Sequence, residues 1–198
     1  MFNLVTKFET RIAEFYGAPY AVATDCCTHS IELALRYQNS SLAQCPKNTY
    51  LSVPMTLQKL DLKWKFVDNL WKDYYYITEN IIDAAVYWKQ NSYIKHTFMC
   101  LSFQFKKHLS LGRGGAILCE THEDYITLKK MSYDGRLPDI PWAEQNISNM
   151  GYHYYMTPET AQLGLHRFPA AVNNVPRSWS YKDYPDLSKM EVFNAVTQ

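Results

Sequence analysis

The sequence has little net charge and no long apolar run. Its 198 residues include 20 Lys and Arg against 19 Asp and Glu, a net charge of +1, so composition gives no reason to expect nucleic acid or an anionic membrane as a partner. The N-terminus, MFNLVTKFETRIAEFYG, contains acids and lacks the continuous apolar segment of a signal peptide. No other stretch is long enough to span a membrane. We therefore expect a protein with neither a leader nor a membrane anchor.

The cysteines and histidines lack the usual spacings of metal sites. The five cysteines include no CxxC pair, and the six histidines form neither HxxxH nor HExxH, so we predict no metal site. An odd number of cysteines without a disulfide framework favours reduced thiols and a cytoplasmic location. We interpret the adjacent Cys26 and Cys27 as small residues of a tight turn, with a redox role as the alternative.

Short apolar strands alternate with amphipathic helices along the chain. The patterns predict helices over residues 2–16, 28–36, 121–131 and 157–166, strands over 19–24, 49–54, 64–68, 80–86, 97–103 and 115–120, and a polar loop over 39–47. This alternation is typical of an α/β fold, a three-layer sandwich with a mostly parallel sheet. We expect a compact domain over residues 1–166 and an irregular tail over 167–198.

The most informative stretch is CLSFQFKKHLSLGRGGAIL, residues 100–118. An apolar strand leads into Lys106, Lys107 and His108, and a glycine-dense turn leads into a second apolar strand. Glycines let the backbone approach closely, and a lysine just past a buried strand is a suitable position for a Schiff-base lysine. The alternative is a surface patch of Lys and His that caps a hairpin.

Two further positions carry candidate chemistry. Residues 25–28 join a predicted strand to a predicted helix, where free N–H groups and the positive end of the helix make an anion site. Asp83 ends another predicted strand, where ligands of α/β sheets bind, although such an acid also commonly hydrogen-bonds the next turn. The 16 Tyr and 5 Trp favour a binding surface or a subunit interface.

Five segments, taken in order, resemble the DegT/DnrJ/StrS family of sugar aminotransferases, which are pyridoxal-phosphate (PLP) enzymes of fold type I. These segments are FYGAPYAVATDCCTHSIELALR, TYLSVPMT with WKFVD, IIDAAV, SFQFKKHLSLGRGGAIL and MGYHYYMTPETAQLGL. One segment alone would be a weak signal, but five in family order over residues 8–165 are specific. The resemblance implies that residues 1–166 form a PLP-binding large domain, and that the small domain is mostly missing, with 167–198 as its remnant.

The resemblance also implies the catalytic residues. Lys107 would form the Schiff base with PLP and move the substrate proton. Asp83 would pair with the pyridine nitrogen and keep the cofactor ring an electron sink.

The remaining cofactor contacts follow from the same segments. Cys27, Thr28 and Ser102 would hold the phosphate at the helix N-terminus. Tyr50 would stack on the ring. His153 would reach the phosphate site of the neighbouring subunit, because the family forms homodimers with sites at the interface.

Three positions depart from the family pattern. Val86 stands where the family has a Gln or His that contacts the phenolic oxygen of the cofactor, and a valine cannot make that hydrogen bond. Tyr155 replaces the usual Arg, and Arg113 replaces the usual acid.

The implied function is transfer of an amino group, with glutamate as the expected donor, to a nucleotide-linked keto-sugar in polysaccharide biosynthesis. The implied enzyme is a cytoplasmic homodimer without nucleic-acid or membrane partners. The alternative is a non-catalytic relative that binds a sugar or a partner as a scaffold. A third interpretation is sugar dehydration, another reaction of the family. It would require replacement of the lysine, which this chain retains as Lys107.

Overall fold

A computed structural model describes residues 2–194 of the chain. The elements are, in chain order, α1 (Asn3–Tyr16), β1 (Tyr20–Thr24), α2 (Cys27–Tyr37), β2 (Leu42–Pro46), α3 (Ser52–Lys59), β3 (Lys63–Val67), β4 (Tyr75–Tyr76), β5 (Ile81–Asp83), β6 (Phe98–Ser102), β7 (Gly115–Cys119), α4 (His122–Ser132) and α5 (Pro158–Asn173). Short 3₁₀ turns lie at Trp142–Glu144, Tyr181–Asp183, Leu187–Lys189 and Glu191–Phe193.

The main sheet has five strands in the order β1-β7-β6-β5-β4. Only β5 and β6 are parallel within it, and the other three pairings are antiparallel. The prediction of a mostly parallel sheet is therefore wrong. A parallel pairing needs a crossover of roughly a dozen or more residues, usually a helix. The connection after β6 instead doubles back, with Phe103 N–H donating to Gly114 and Phe105 N–H donating to Gly112.

This topology brings three strand ends to one edge of the sheet. Because β7 is antiparallel to both β1 and β6, those two strands point the same way, and β5 is parallel to β6. The register places Thr24, Gly115 and Ser102 side by side at that edge. Asp83 ends β5 there, and α2 begins at Cys27 just past β1. The predicted site residues on these strands thus share one edge.

Helices cover both faces of the main sheet. α1 and α5 pack on one face, where Met99 and Leu101 of β6 contribute to the core. α2 and α4 pack on the other face, together with Phe98 and Cys100 from the same strand. This alternation confirms the three-layer α/β arrangement. Among residues 2–194, no helix combines the length and apolarity needed to cross a membrane.

The segment between α2 and β3 differs from the sequence prediction. Residues 42–46, predicted as loop, form β2, which pairs in parallel with β3. Residues 49–54, predicted as strand, instead lead into α3. The strand that pairs with β2 lies later in the chain. The polarity of residues 42–46 alone therefore does not reveal that they form a strand.

The last helix is longer than predicted. It continues past His166 and through Pro169 to Asn173, so the predicted domain boundary at residue 166 falls inside α5. Phe168 and Ala171 are buried against the α1 face of the core, and this packing offsets the cost of an interior proline. Residues 167–173, predicted as part of the irregular tail, are helical, and residues 174–194 are irregular apart from the 3₁₀ turns and isolated bridges.

Candidate functional site

Lys107 lies half-buried in the turn that follows β6. Its Nζ stands 5.3 Å from the ring centroid of Trp179. Burial lowers the pKa of Lys107, and the nearby Asp83 carboxylate opposes that effect. A lysine with a lowered pKa exists more often as the free amine, the form that reacts with a carbonyl group.

Asp83 is 6% exposed at the end of β5. Its Oδ2 accepts a hydrogen bond of 2.6 Å from the Tyr75 hydroxyl, and its Oδ1 accepts one of 2.9 Å from the Ala85 N–H. The Thr49 Oγ1 lies 2.6 Å from the Tyr75 hydroxyl and extends this network. Burial raises the pKa of Asp83, while Tyr75, Ala85 and Lys107 act in the opposite direction. The network fixes the orientation of a buried acceptor close to the lysine.

The first turn of α2 forms the candidate phosphate site. The Thr28 Oγ1 lies 2.8 Å from the Ser52 Oγ at the start of α3. Gly115 packs so closely on this turn that a Cβ there would lie 2.5 Å from both Cys26 C and Cys27 N. Burial raises the pKa of the Cys27 thiol well above its usual value, which favours a packing role over redox chemistry.

A small cavity of about 80 Å³ lies beside Lys107. Its walls include Ser102, Val86, Arg177 and Trp179. Ser102 therefore lies beside the lysine, as the resemblance implies, and Val86 presents an apolar wall. Arg177 and Trp179 come from the tail, and no local sequence pattern indicated that they would reach this site.

Tyr50 and His153 do not line that cavity. Tyr50 is 57% exposed next to α3. The His153 side chain is 70% exposed, with its Nδ1 3.1 Å from Asp134 Oδ2. One chain thus brings together Lys107, Asp83 and Ser102, while the roles of Tyr50 and His153 remain predictions.

A charged cluster that the sequence analysis missed flanks the first turn of α2. The Asp25 Oδ1 lies 2.7 Å from the His29 Nδ1. The Asp25 Oδ2 accepts a hydrogen bond of 2.6 Å from the Arg113 Nη2. Burial alone would lower the pKa of His29, but interactions with Asp25 and Cys26 raise it to about 9. Although burial acts against it, hydrogen bonds from His29 and Arg113 hold the pKa of Asp25 below its usual value. At neutral pH this cluster has two cations and one anion.

The same cluster contains three metal-ligand types. Ligand atoms of Asp25, Cys26 and His29 all lie within 4.8 Å of one another. The Cys26-x-x-His29 spacing, which the sequence analysis did not consider, could have indicated this group. The Asp25 carboxylate already has partners in the chain, because it lies against both His29 Nδ1 and the Arg113 guanidinium.

Comparisons with known proteins agree with the fold. Residues 1–95 match the model of the DegT/DnrJ/EryC1/StrS aminotransferase family. No protein with a curated description matches the chain. This match confirms the predicted resemblance over residues 1–95, and the structural likenesses below concern the fold.

Three solved structures illustrate the likeness. AtS13 of Actinomadura melliaura has 18% identity and a TM-score of 0.74, over 86% of this chain and 60% of that one. Spr1654 of Streptococcus pneumoniae, in its PLP form, has 17% identity and a TM-score of 0.68, over 84% and 60%. The sugar aminotransferase CalS13 of Micromonospora echinospora has 12% identity and a TM-score of 0.69, over 86% and 61%. The chain therefore spans about 60% of the length of these proteins.

Proposed function

We propose that this chain, whose first 95 residues match the DegT/DnrJ/EryC1/StrS aminotransferase family, is a PLP-dependent sugar aminotransferase. The observation that carries the proposal is the pairing of half-buried Lys107 with buried Asp83 at one sheet edge, where each affects the pKa of the other. The likeness to CalS13, a sugar aminotransferase, supports the substrate class. We propose a nucleotide-linked keto-sugar as acceptor and glutamate as donor, in polysaccharide biosynthesis.

The chemistry of the donor set fits PLP. Lys107 supplies an amine of lowered pKa for the cofactor aldehyde, and Asp83 supplies a buried carboxylate for the pyridine nitrogen. Thr28 and the Cys27 N–H at the start of α2, with Ser102 at the end of β6, suit the phosphate. Val86 leaves the phenolic oxygen without the hydrogen bond that the family usually provides.

Bound PLP supplies an electron sink for negative charge that develops at the substrate carbon. The residues of the chain would hold and orient the reacting groups. The Tyr75 and Ala85 donors fix the Asp83 carboxylate, which would hold the pyridine nitrogen of bound PLP in its protonated form. The Lys107 amine would accept the proton from the substrate carbon and return it, a role that suits a base whose pKa burial has lowered.

We further propose that the enzyme works as a cytoplasmic homodimer. Tyr50, Leu51 and Met55 form an exposed apolar patch at the start of α3, adjacent to the Ser52–Thr28 contact. Exposed His153 would contribute to the neighbouring site across the same interface. The five cysteines are all free thiols, which suits a reducing compartment.

A single-turnover experiment tests the transamination. The protein is loaded with PLP, freed of excess cofactor and mixed with glutamate, and the amine form of the cofactor is quantified by chromatography. We expect conversion in the wild type and in a control, Lys95→Ala, which removes an exposed lysine, and no conversion in Lys107→Ala. Folded, PLP-loaded wild type that converts no cofactor with any common amino acid would contradict the proposal.

The second candidate is a non-catalytic scaffold that binds a sugar ligand. Two observations favour the scaffold function. Val86 presents an apolar wall beside Lys107, and Trp179 covers the lysine. This function predicts that Lys107→Ala leaves the affinity for nucleotide sugars, measured by calorimetry, unchanged while no turnover occurs in either protein. Turnover that depends on Lys107 would exclude it.

A further inference from the structure

Residues 177–184 of the tail, here termed the strap, cross the sheet edge that holds the candidate site. The strap pairs with residues 71–73, where Asp73 N–H donates to Trp179 O at 3.0 Å and Tyr181 N–H donates to Trp71 O at 3.1 Å. Ser180 and Asp183 form a capping box within it. Leu187, just beyond the strap, is only 1% exposed and anchors the chain in the core. The strap is thus held by its pairing with residues 71–73, by its own capping box and by the buried Leu187 that follows it.

Two strap side chains cover the lysine. The Trp179 ring centroid lies 5.3 Å from Lys107 Nζ. The guanidinium carbon of Arg177 lies 3.9 Å from the same centroid, and Arg177 also pairs with Asp183. Arg177, Trp179 and Lys107 are therefore stacked in one cation–aromatic–cation arrangement at the mouth of the cavity.

A third strap residue approaches the other half of the site. Burial raises the pKa of Tyr184, and the charges of Asp83 and Cys27 act on it in the same direction. The Tyr184 hydroxyl is thus within electrostatic reach of both residues. The Tyr184 ring centroid lies 6.2 Å from that of Trp179, so the two strap aromatics contact each other.

The space left beside the lysine is too small for the cofactor. The cavity is about 80 Å³, about half the volume of a core cavity of about 150 Å³ that binds benzene. PLP is larger than benzene, because its pyridine ring carries an aldehyde, a hydroxyl, a methyl and a phosphate ester. A cofactor attached to Lys107 would therefore need more room than the strap leaves beside this lysine.

We propose that the strap is a closed lid over the cofactor site, with Trp179 as the closing residue, and that it must move off Lys107 before PLP binds. The identity of the entering group rests on the proposed function. The lid itself does not, because it is defined by contacts between the strap and Lys107.

The first test measures access to Lys107 without any cofactor. Each protein is acylated briefly with acetic anhydride, and labelling of Lys107 relative to exposed Lys95 is read by peptide mass spectrometry. We expect Trp179→Ala to raise Lys107 labelling about fivefold, the factor expected from loss of one cation–π contact. Arg177→Ala, a milder change at an exposed side chain, should raise it less. The control Trp142→Ala removes a tryptophan that is 68% exposed in a distant 3₁₀ turn and should leave it unchanged.

The second test separates the lid from the cofactor proposal. PLP uptake by the same proteins is followed by the quenching of tryptophan fluorescence, after circular dichroism has confirmed that each variant is folded. Faster uptake in Trp179→Ala and Arg177→Ala supports the lid. Raised Lys107 labelling with no PLP uptake in any protein would keep the lid and refute the cofactor. Unchanged labelling and unchanged uptake in both folded variants would refute the lid alone.

Discussion

The His29–Asp25 pair should make the stability of the fold fall as pH rises above neutrality. The folded-state pKa of His29 is about 9, against 6.5 for an unperturbed histidine, and its side chain is 22% exposed. Because the folded pKa is the higher one, the stabilisation is complete below about pH 6.5 and is lost as pH rises through about 9. The difference between a pKa of 6.5 in the unfolded state and about 9 in the folded state corresponds to at most ~3 kcal/mol of folding stability. Partial exposure reduces this to about 2 kcal/mol.

Urea unfolding of the wild type and His29→Gln at several pH values tests this prediction. The groups that face His29 are Asp25, Cys26, Arg113 and the stacked ring of Tyr154. Titrations of groups that do not contact His29 are common to the two proteins and cancel in the comparison. Between about pH 6 and about pH 10, we expect the wild type to lose about 2 kcal/mol more of its unfolding free energy than the variant.

The control is His166→Gln, which changes an exposed histidine of α5 and should follow the wild-type profile. Parallel pH profiles for the wild type and His29→Gln would refute the assigned pKa and the charge state of the cluster.

Three further changes probe the site and its support. Glu9→Gln should lower the free energy of unfolding in urea by roughly 3 kcal/mol. The buried Lys129 Nζ lies 2.5 Å from Glu9 Oε1 and would lose its charged partner. Gly115→Ala should weaken binding of inorganic phosphate, measured by calorimetry, because its Cβ would meet the first turn of α2 at 2.5 Å. Tyr75→Phe should raise the pKa of Asp83 further, followed by NMR titration of the carboxyl carbon, because it removes a 2.6 Å donor.

Two of these changes have a matched control. Glu14→Gln alters an exposed acid of the same helix and should cost less than about 0.5 kcal/mol. Gly112→Ala strains a turn at φ 81° but meets nothing within 4 Å, so phosphate binding should survive it. An equal loss of phosphate binding in both glycine variants, or an Asp83 that titrates identically in Tyr75→Phe, would show that these contacts do not shape the site.

Features set by local chemistry could be predicted from the sequence. The three-and-four spacing of apolar residues defined α1, and Gly17 ends it in the left-handed conformation at φ 71°. The order of short motifs placed Asp83 and Ser102 at strand ends and Lys107 in the turn that follows. The structure brings these three residues to one edge of the sheet. Such signals depend on neighbours in sequence, which is why they could be found without coordinates.

Features set by distant contacts could not. The antiparallel β7 depends on the path of residues 103–114, and β2 depends on a partner strand that follows α3. The helix predicted to end at residue 166 continues through Pro169 to Asn173, because the packing of α5 on α1 offsets the cost of the proline. The position of Trp179 over Lys107 joins segments far apart in the chain, and no pattern near either residue reports it.

The most direct test of the central claim is cofactor attachment at Lys107. The wild type, Lys107→Ala and the control Lys95→Ala are incubated with PLP, dialysed, reduced with borohydride and mapped by peptide mass spectrometry. The account predicts that the wild type and Lys95→Ala keep a visible chromophore and a reduced PLP adduct on Lys107, and that Lys107→Ala keeps neither. Retention of the chromophore by Lys107→Ala, or an adduct on another lysine in the wild type, would contradict it.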